Sequence, residues 1–134
     1  MTQELKDKLL KYLCMALPYG LKCQFEDTIR VTDGESSPYY DYELSTRHLD
    51  LFMNHKNFYI KPYLRPMLSM TEEEIIEFNN IPSTKNYTII ENDLPWDVAH
   101  YKQIDWLLSH RFDFMKLIPM GNAIDCTKLD IYKD

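Results

Sequence analysis

The chain has 134 residues, 45% hydrophobic and 27% charged, a balance that excludes both a disordered chain and a collagen-like one. A chain of this length removes roughly two-thirds of its unfolded surface from water around one core, so a single domain over residues 1–134 is expected. Net charge is −6, with 9 basic and 9 acidic side chains in residues 1–67 and 6 and 12 in residues 68–134; a general nucleic-acid binder needs a cationic surface, and this balance argues against one.

Residues 1–13 carry Glu4, Lys6, Asp7, Lys8 and Lys11, which leaves no uncharged core of roughly seven residues for a secretory signal. No apolar stretch approaches the roughly 20 residues of a membrane span, so a cytoplasmic protein without membrane attachment is expected. Cys14, Cys23 and Cys126 are odd in number and lack a C-x-x-C spacing, which suggests neither a disulfide framework nor structural zinc. Cys14 and Cys23 are expected to be core cysteines.

The first predicted element is a helix, because Leu5, Leu9, Leu13 and Ala16 form an apolar stripe opposite the charges. Thr2 can cap its start, and Pro18 with Gly20 ends it. Leu21, Cys23 and Phe25 then alternate with polar residues, Thr28 to Thr32 alternates again, and Tyr40, Tyr42 and Leu44 follow the Asp33-Gly34 turn. These segments predict a three-stranded antiparallel meander, with Glu35 to Pro38 as its loop. From Thr46 to Asn57, Leu49, Leu51 and Met53 alternate as in a strand. Phe58-Tyr59-Ile60 is β-prone, but Pro62 and Pro66 remove backbone donors, so an edge strand or extended crossing is expected through Met67.

Two overlapping capping boxes, Ser69 with Glu72 and Thr71 with Glu74, open a short acidic helix from Thr71 to about Asn79. Tyr87 to Ile90 reads as a short strand and Asn92 to Pro95 as a turn. A helix starting near Pro95 or Asp97 carries Val98, Tyr101, Ile104, Leu107 and Leu108 at helical spacing and stops near His110 to Phe112. Gly121 precedes a β-prone stretch from Ala123 to Cys126. The expected fold is therefore α+β: a small antiparallel sheet, the meander plus one or more added strands, packed by two or three helices.

Chemistry is sparsely signalled. Ten residues separate His100 from His110, about 80° and about 15 Å apart on one helix, and His48 and His55 would fall on opposite faces of a strand, so no metal site is predicted. With glycine only at Gly20, Gly34 and Gly121, no phosphate loop or dinucleotide fingerprint exists and no cofactor is implied. The catalytic candidates are His110 with Asp105 or Asp113, since a carboxylate-oriented histidine can act as a general base. A histidine at a helix C-terminus is also favoured there electrostatically, which supports a structural role for His110 instead.

The segment Lys61-Pro62-Tyr63-Leu64-Arg65-Pro66 combines two cations, an aromatic ring and two rigid prolines. Lys61, Tyr63 and Arg65, joined at another corner by Arg111, are the expected partner-binding residues, with Arg65 able to pair an acid. A proline-rich crossing that merely covers a sheet edge is the structural alternative.

Residues Ile60 to Glu74, and Asp105-Trp106-Leu107 with His110, Phe112-Asp113, Leu117-Ile118, Gly121 and Ala123, follow a helix ending in Leu17-Pro18-Tyr19-Gly20. This pattern, over most of the chain, resembles a group of short uncharacterised proteins common in phages, prophages and mobile elements of gut Bacteroidota. That group has no established activity, so the resemblance implies a setting, a small accessory protein of the bacterial cytoplasm, and no site residue. The leading expectation is a non-catalytic protein-interaction module. The alternatives are a small-molecule or nucleotide binder using Arg65, Arg111 or Lys61, and a small enzyme using His110. Homo-oligomerisation through the tyrosine-rich sheet is left open.

Overall fold

The computed structural model describes residues 2–27, 39–55, 58–81 and 101–132. Helix α1 (Gln3–Ala16) begins where Thr2 Oγ1 accepts the Leu5 N–H, and it buries Leu9, Tyr12, Leu13 and Ala16 along one stripe. Cys14 is exposed, against expectation, while Cys23 is buried. At 3.6 residues per turn Cys14 lies about 140° around the helix from Leu9, beyond the core stripe. Gly20 ends the turn after α1 with φ +68°, where a Cβ would stand 3.0 Å from Glu43 Oε1.

Four strands form the sheet among the described residues: β1 (Lys22–Asp27), β2 (Tyr39–Glu43), β3 (Phe58–Leu64) and β4 (Ile124–Asp125), in the order β2-β1-β3-β4. β1 is antiparallel to β2 and to β3, and β3 is parallel to β4, which confirms an α+β fold with a mainly antiparallel sheet. The expected strand Thr28 to Thr32, the Asp33-Gly34 turn and the Glu35 to Pro38 loop lie outside the described residues. β1 pairs directly with β2, Cys23 opposite Tyr42 and Phe25 opposite Tyr40.

Residues Thr46–Asn54 form helix α2, which corrects the strand reading of this stretch. The apolar alternation of Leu49, Leu51 and Met53 is misleading, because the buried residues are His48, Leu49 and Phe52, spaced for one helical face, while Met53 is half exposed. The His48 side chain reaches back to the Ser45 backbone, 3.1 Å from Ser45 N to Nδ1, and takes the place usually held by Glu or Gln in a capping box.

β3 is an interior strand, which corrects the edge assignment. Cys126 N–H donates to Leu64 C=O, so the polar backbone groups of Leu64, and by alternation of Pro62, face β4. β4 begins only opposite Tyr63, so the N–H that Pro62 lacks has no ladder bond to make.

Helix α3 (Glu72–Asn79) uses the second of the two capping boxes, with Glu74 N–H donating to Thr71 Oγ1 and Thr71 N–H to Glu74 Oε1. Helix α4 (Tyr101–Ser109) buries Ile104, Leu107 and Leu108 as its spacing predicts. Its expected start, the Tyr87 to Ile90 strand and the Asn92 to Pro95 turn lie outside the described residues. Trp106 Nε1 donates to Glu77 Oε1 at 3.0 Å and ties α4 to α3. α1 packs against α2 and α4, and α2 against β3, closing a core around Leu9, Leu13, Phe25, Ile60, Leu107 and Phe112. Among the described residues no helix is long and apolar enough to cross a membrane.

Candidate functional site

Lys61 and Tyr63 share one face of β3 but differ in what covers them. Lys61 points into solvent, whereas Tyr63 is buried and donates its hydroxyl to Asp41 Oδ1 at 2.6 Å. Burial, reinforced by the Asp41 carboxylate that accepts its proton, pushes the Tyr63 hydroxyl up to about 12. Arg65 does meet an acid, but within its own chain. Its Nη1 and Nη2 donate to Glu74 Oε2 and Oε1 at 2.8 and 2.7 Å, and its guanidinium lies 4.2 Å over the Phe112 ring. The Arg65 hydrogen bonds hold the Glu74 carboxyl down at about 2.

Arg111 adopts φ 62° at the turn after α4, and its guanidinium stacks 3.9 Å over the Tyr132 ring. Its Nη2 approaches Tyr19 C=O at 3.4 Å. Of the four expected partner-binding residues, Tyr63, Arg65 and Arg111 are therefore engaged in the chain's own packing, and Lys61 presents its cation outward.

The three catalytic candidates serve separate local purposes. His110 Nδ1 is 2.8 Å from Trp106 C=O and 3.1 Å from Ser109 Oγ, and its ring stacks on Trp106 at 4.0 Å, as a residue finishing α4 would. Asp105 is exposed on α4. Asp113 is buried and accepts the backbone N–H groups of Leu117 and Ile118 at 2.7 and 2.8 Å. The group that orients the His110 ring is thus a backbone carbonyl, in the position a catalytic carboxylate would take.

The sheet register builds a surface that single residues do not reveal. Glu26 stands between Tyr39 on β2 and Tyr59 on β3, and Gln24 between Asp41 and Lys61. These side chains alternate with the buried Cys23, Phe25 and Ile60, so they occupy the face opposite the core. Tyr39 is 51% and Tyr59 41% exposed, and with Gln24, Glu26 and Lys61 they line a shallow depression of about 260 Å³. The period-two pattern of Tyr59, Lys61 and Tyr63 hinted at this face, but the contribution of Tyr39 and Glu26 depends on pairing across three strands.

Fold and surface together define a small α+β domain that displays a polar-aromatic sheet face. No protein-family model, curated protein or solved structure matches the chain. Among the described residues, no group of three His, Cys, Asp or Glu side chains is placed to hold a metal ion.

Proposed function

We propose that this chain is a non-catalytic protein-interaction module whose contact surface is the sheet face around Tyr39, Tyr59 and Lys61. The carrying observation is that two exposed tyrosine rings and a cation project from paired strands of one sheet. Tyrosine supplies large amphipathic contact area with few rotors, and strands already held in register lose little further freedom on binding. Glu26 and Asp41 beside Lys61 add charges of both signs, which favour one docking orientation over others. The setting follows the resemblance: an accessory protein of a phage or mobile element, acting in the bacterial cytoplasm on a host or phage protein.

Affinity capture from such a host tests the surface. The double variant Tyr59→Ser/Lys61→Glu is compared with wild type and with Glu73→Lys, a control on the exposed side of α3. A partner retained by wild type and by the control, and reduced at least about tenfold by the face variant, supports the reading. Equal retention by all three, with circular dichroism showing intact folds, removes this face from consideration.

A further inference from the structure

The opposite side of β2 carries a second concave feature. Tyr40 and Tyr42 share strand parity with the buried Phe25 and Cys23, so they lie on the helix-bearing side of the sheet, yet Tyr42 is 66% exposed. Between these rings and the N-terminal end of α2 is a groove of about 450 Å³, lined also by Asp27, Ser45, Arg47, His48 and Leu51. That volume is within the range of about 300–1,000 Å³ common for small-ligand sites.

His48 sets the chemistry of the groove. Its ring stacks on Phe25 at 4.0 Å and has Tyr42 edge-on at 6.2 Å, which fixes the ring plane. Nδ1 accepts the Ser45 N–H at 3.1 Å, with Ser45 Oγ 3.0 Å away, so in the neutral ring the proton is on Nε2. The ring is buried, at 9% exposure, and His48 is among the residues that line the groove. Burial, and then the Arg47 charge, lower the His48 pKa, which favours the neutral ring. Asp27 also lines the groove.

We infer that this groove binds a small planar ring bearing an anionic group, with the ring against Tyr40, Tyr42 and Leu51 and the anion at Arg47, next in sequence to His48. Tyrosine faces suit a flat apolar body, and a guanidinium suits a carboxylate or phosphate oxygen. The groove is independent of the proposed interaction surface, since Tyr39 and Tyr59 point to the other side of the sheet.

The ring Cε1–H signals of the four histidines in the full chain provide the test. Benzoate and adenosine monophosphate are titrated, with benzamide and adenosine as their neutral counterparts. Saturable movement of the His48 signal by at least one anion is expected, with the other histidine signals unmoved and the matching neutral compound at least about tenfold weaker. Arg47→Gln, a change at an exposed position, should cut the affinity for the anion about tenfold without lowering the melting temperature. No saturable His48 movement by either anion up to roughly 10 mM overturns the proposal. Equal affinity for the neutral counterparts, or undiminished affinity in the folded Arg47→Gln variant, overturns it too.

Discussion

The hydroxyl of Tyr132 accepts the backbone N–H of Lys22 at 2.8 Å, across 110 residues of sequence. It lies 2.9 Å from Tyr63 C=O as well, in the place where Lys22 and Tyr63 would form the next backbone pair between β1 and β3. A phenol from the end of the chain thereby completes a ladder that the two strands leave open. Lys22 Nζ holds the same segment through Ile131 C=O at 2.9 Å.

Tyr132→Phe removes only that oxygen and keeps the ring under Arg111. It leaves the Lys22 N–H and Tyr63 C=O without this partner, and should cost about 1–3 kcal/mol. Urea denaturation should show a lower midpoint with an unchanged slope.

The Arg65 and Glu74 pair makes stability fall in acid. Glu74 is more acidic in the fold, at about 2, than its ordinary 4.5, so its contribution is complete above about pH 4.5 and is lost as the pH falls toward about 2. Glu74→Gln should lose about 1–3 kcal/mol at neutral pH and show a flatter decline between those limits. Arg65→Lys should also weaken the fold, since an ammonium cannot reproduce the two-pronged contact. Urea midpoints measured from neutral to about pH 3 check both expectations.

His48 shifts stability in a different window. Its pKa is lowered from 6.5 by burial first and by Arg47 second, with Asp27, Tyr40 and Tyr42 also around the groove. The unfolded chain therefore binds more protons as the pH falls below about 6.5. Stability from this residue is present above that value and declines as the pH drops through the folded pKa. His48→Gln retains a side chain able to reach the Ser45 N–H but does not titrate, so its stability should stay level across that window. A histidine ring titration by NMR gives the same answer independently.

Asp113→Asn tests whether this buried carboxylate is structural. An amide can replace one of the two acceptors that meet Leu117 and Ile118 N–H, and its NH2 faces the other donor. A loss of about 2–3 kcal/mol in thermal or urea melts is expected.

Helices α1 and α3 were legible because their signals are local. Thr2, the Leu9 to Ala16 stripe and the Thr71-Glu74 box lie within a few residues of the bonds they make. In the α2 segment alternating apolar residues over a short stretch fit either period, and burial against Phe25 favours the helical face with His48. Pro62 suggested an edge because a missing N–H is visible in sequence, whereas the strand side it faces is not. At the candidate surface, Lys61 and the tyrosines were recognisable as residue types. Their sorting into outward Tyr59 and Lys61 and buried Tyr63 followed from the register and from Asp41.

The sequence by itself determined the α+β class, the capped acidic helix and the apolar stripes, since helix caps and periodicity act within about four residues. Tertiary structure decided that Arg65 pairs with Glu74 rather than with an external acid, and that His110 finishes a helix beside Trp106. It also decided that Tyr132 completes the backbone ladder at Lys22. Each of these contacts satisfies a charge, ring or backbone group with a partner chosen by proximity in the fold, and Tyr132 meets Lys22 only after the sheet and the chain end have come together.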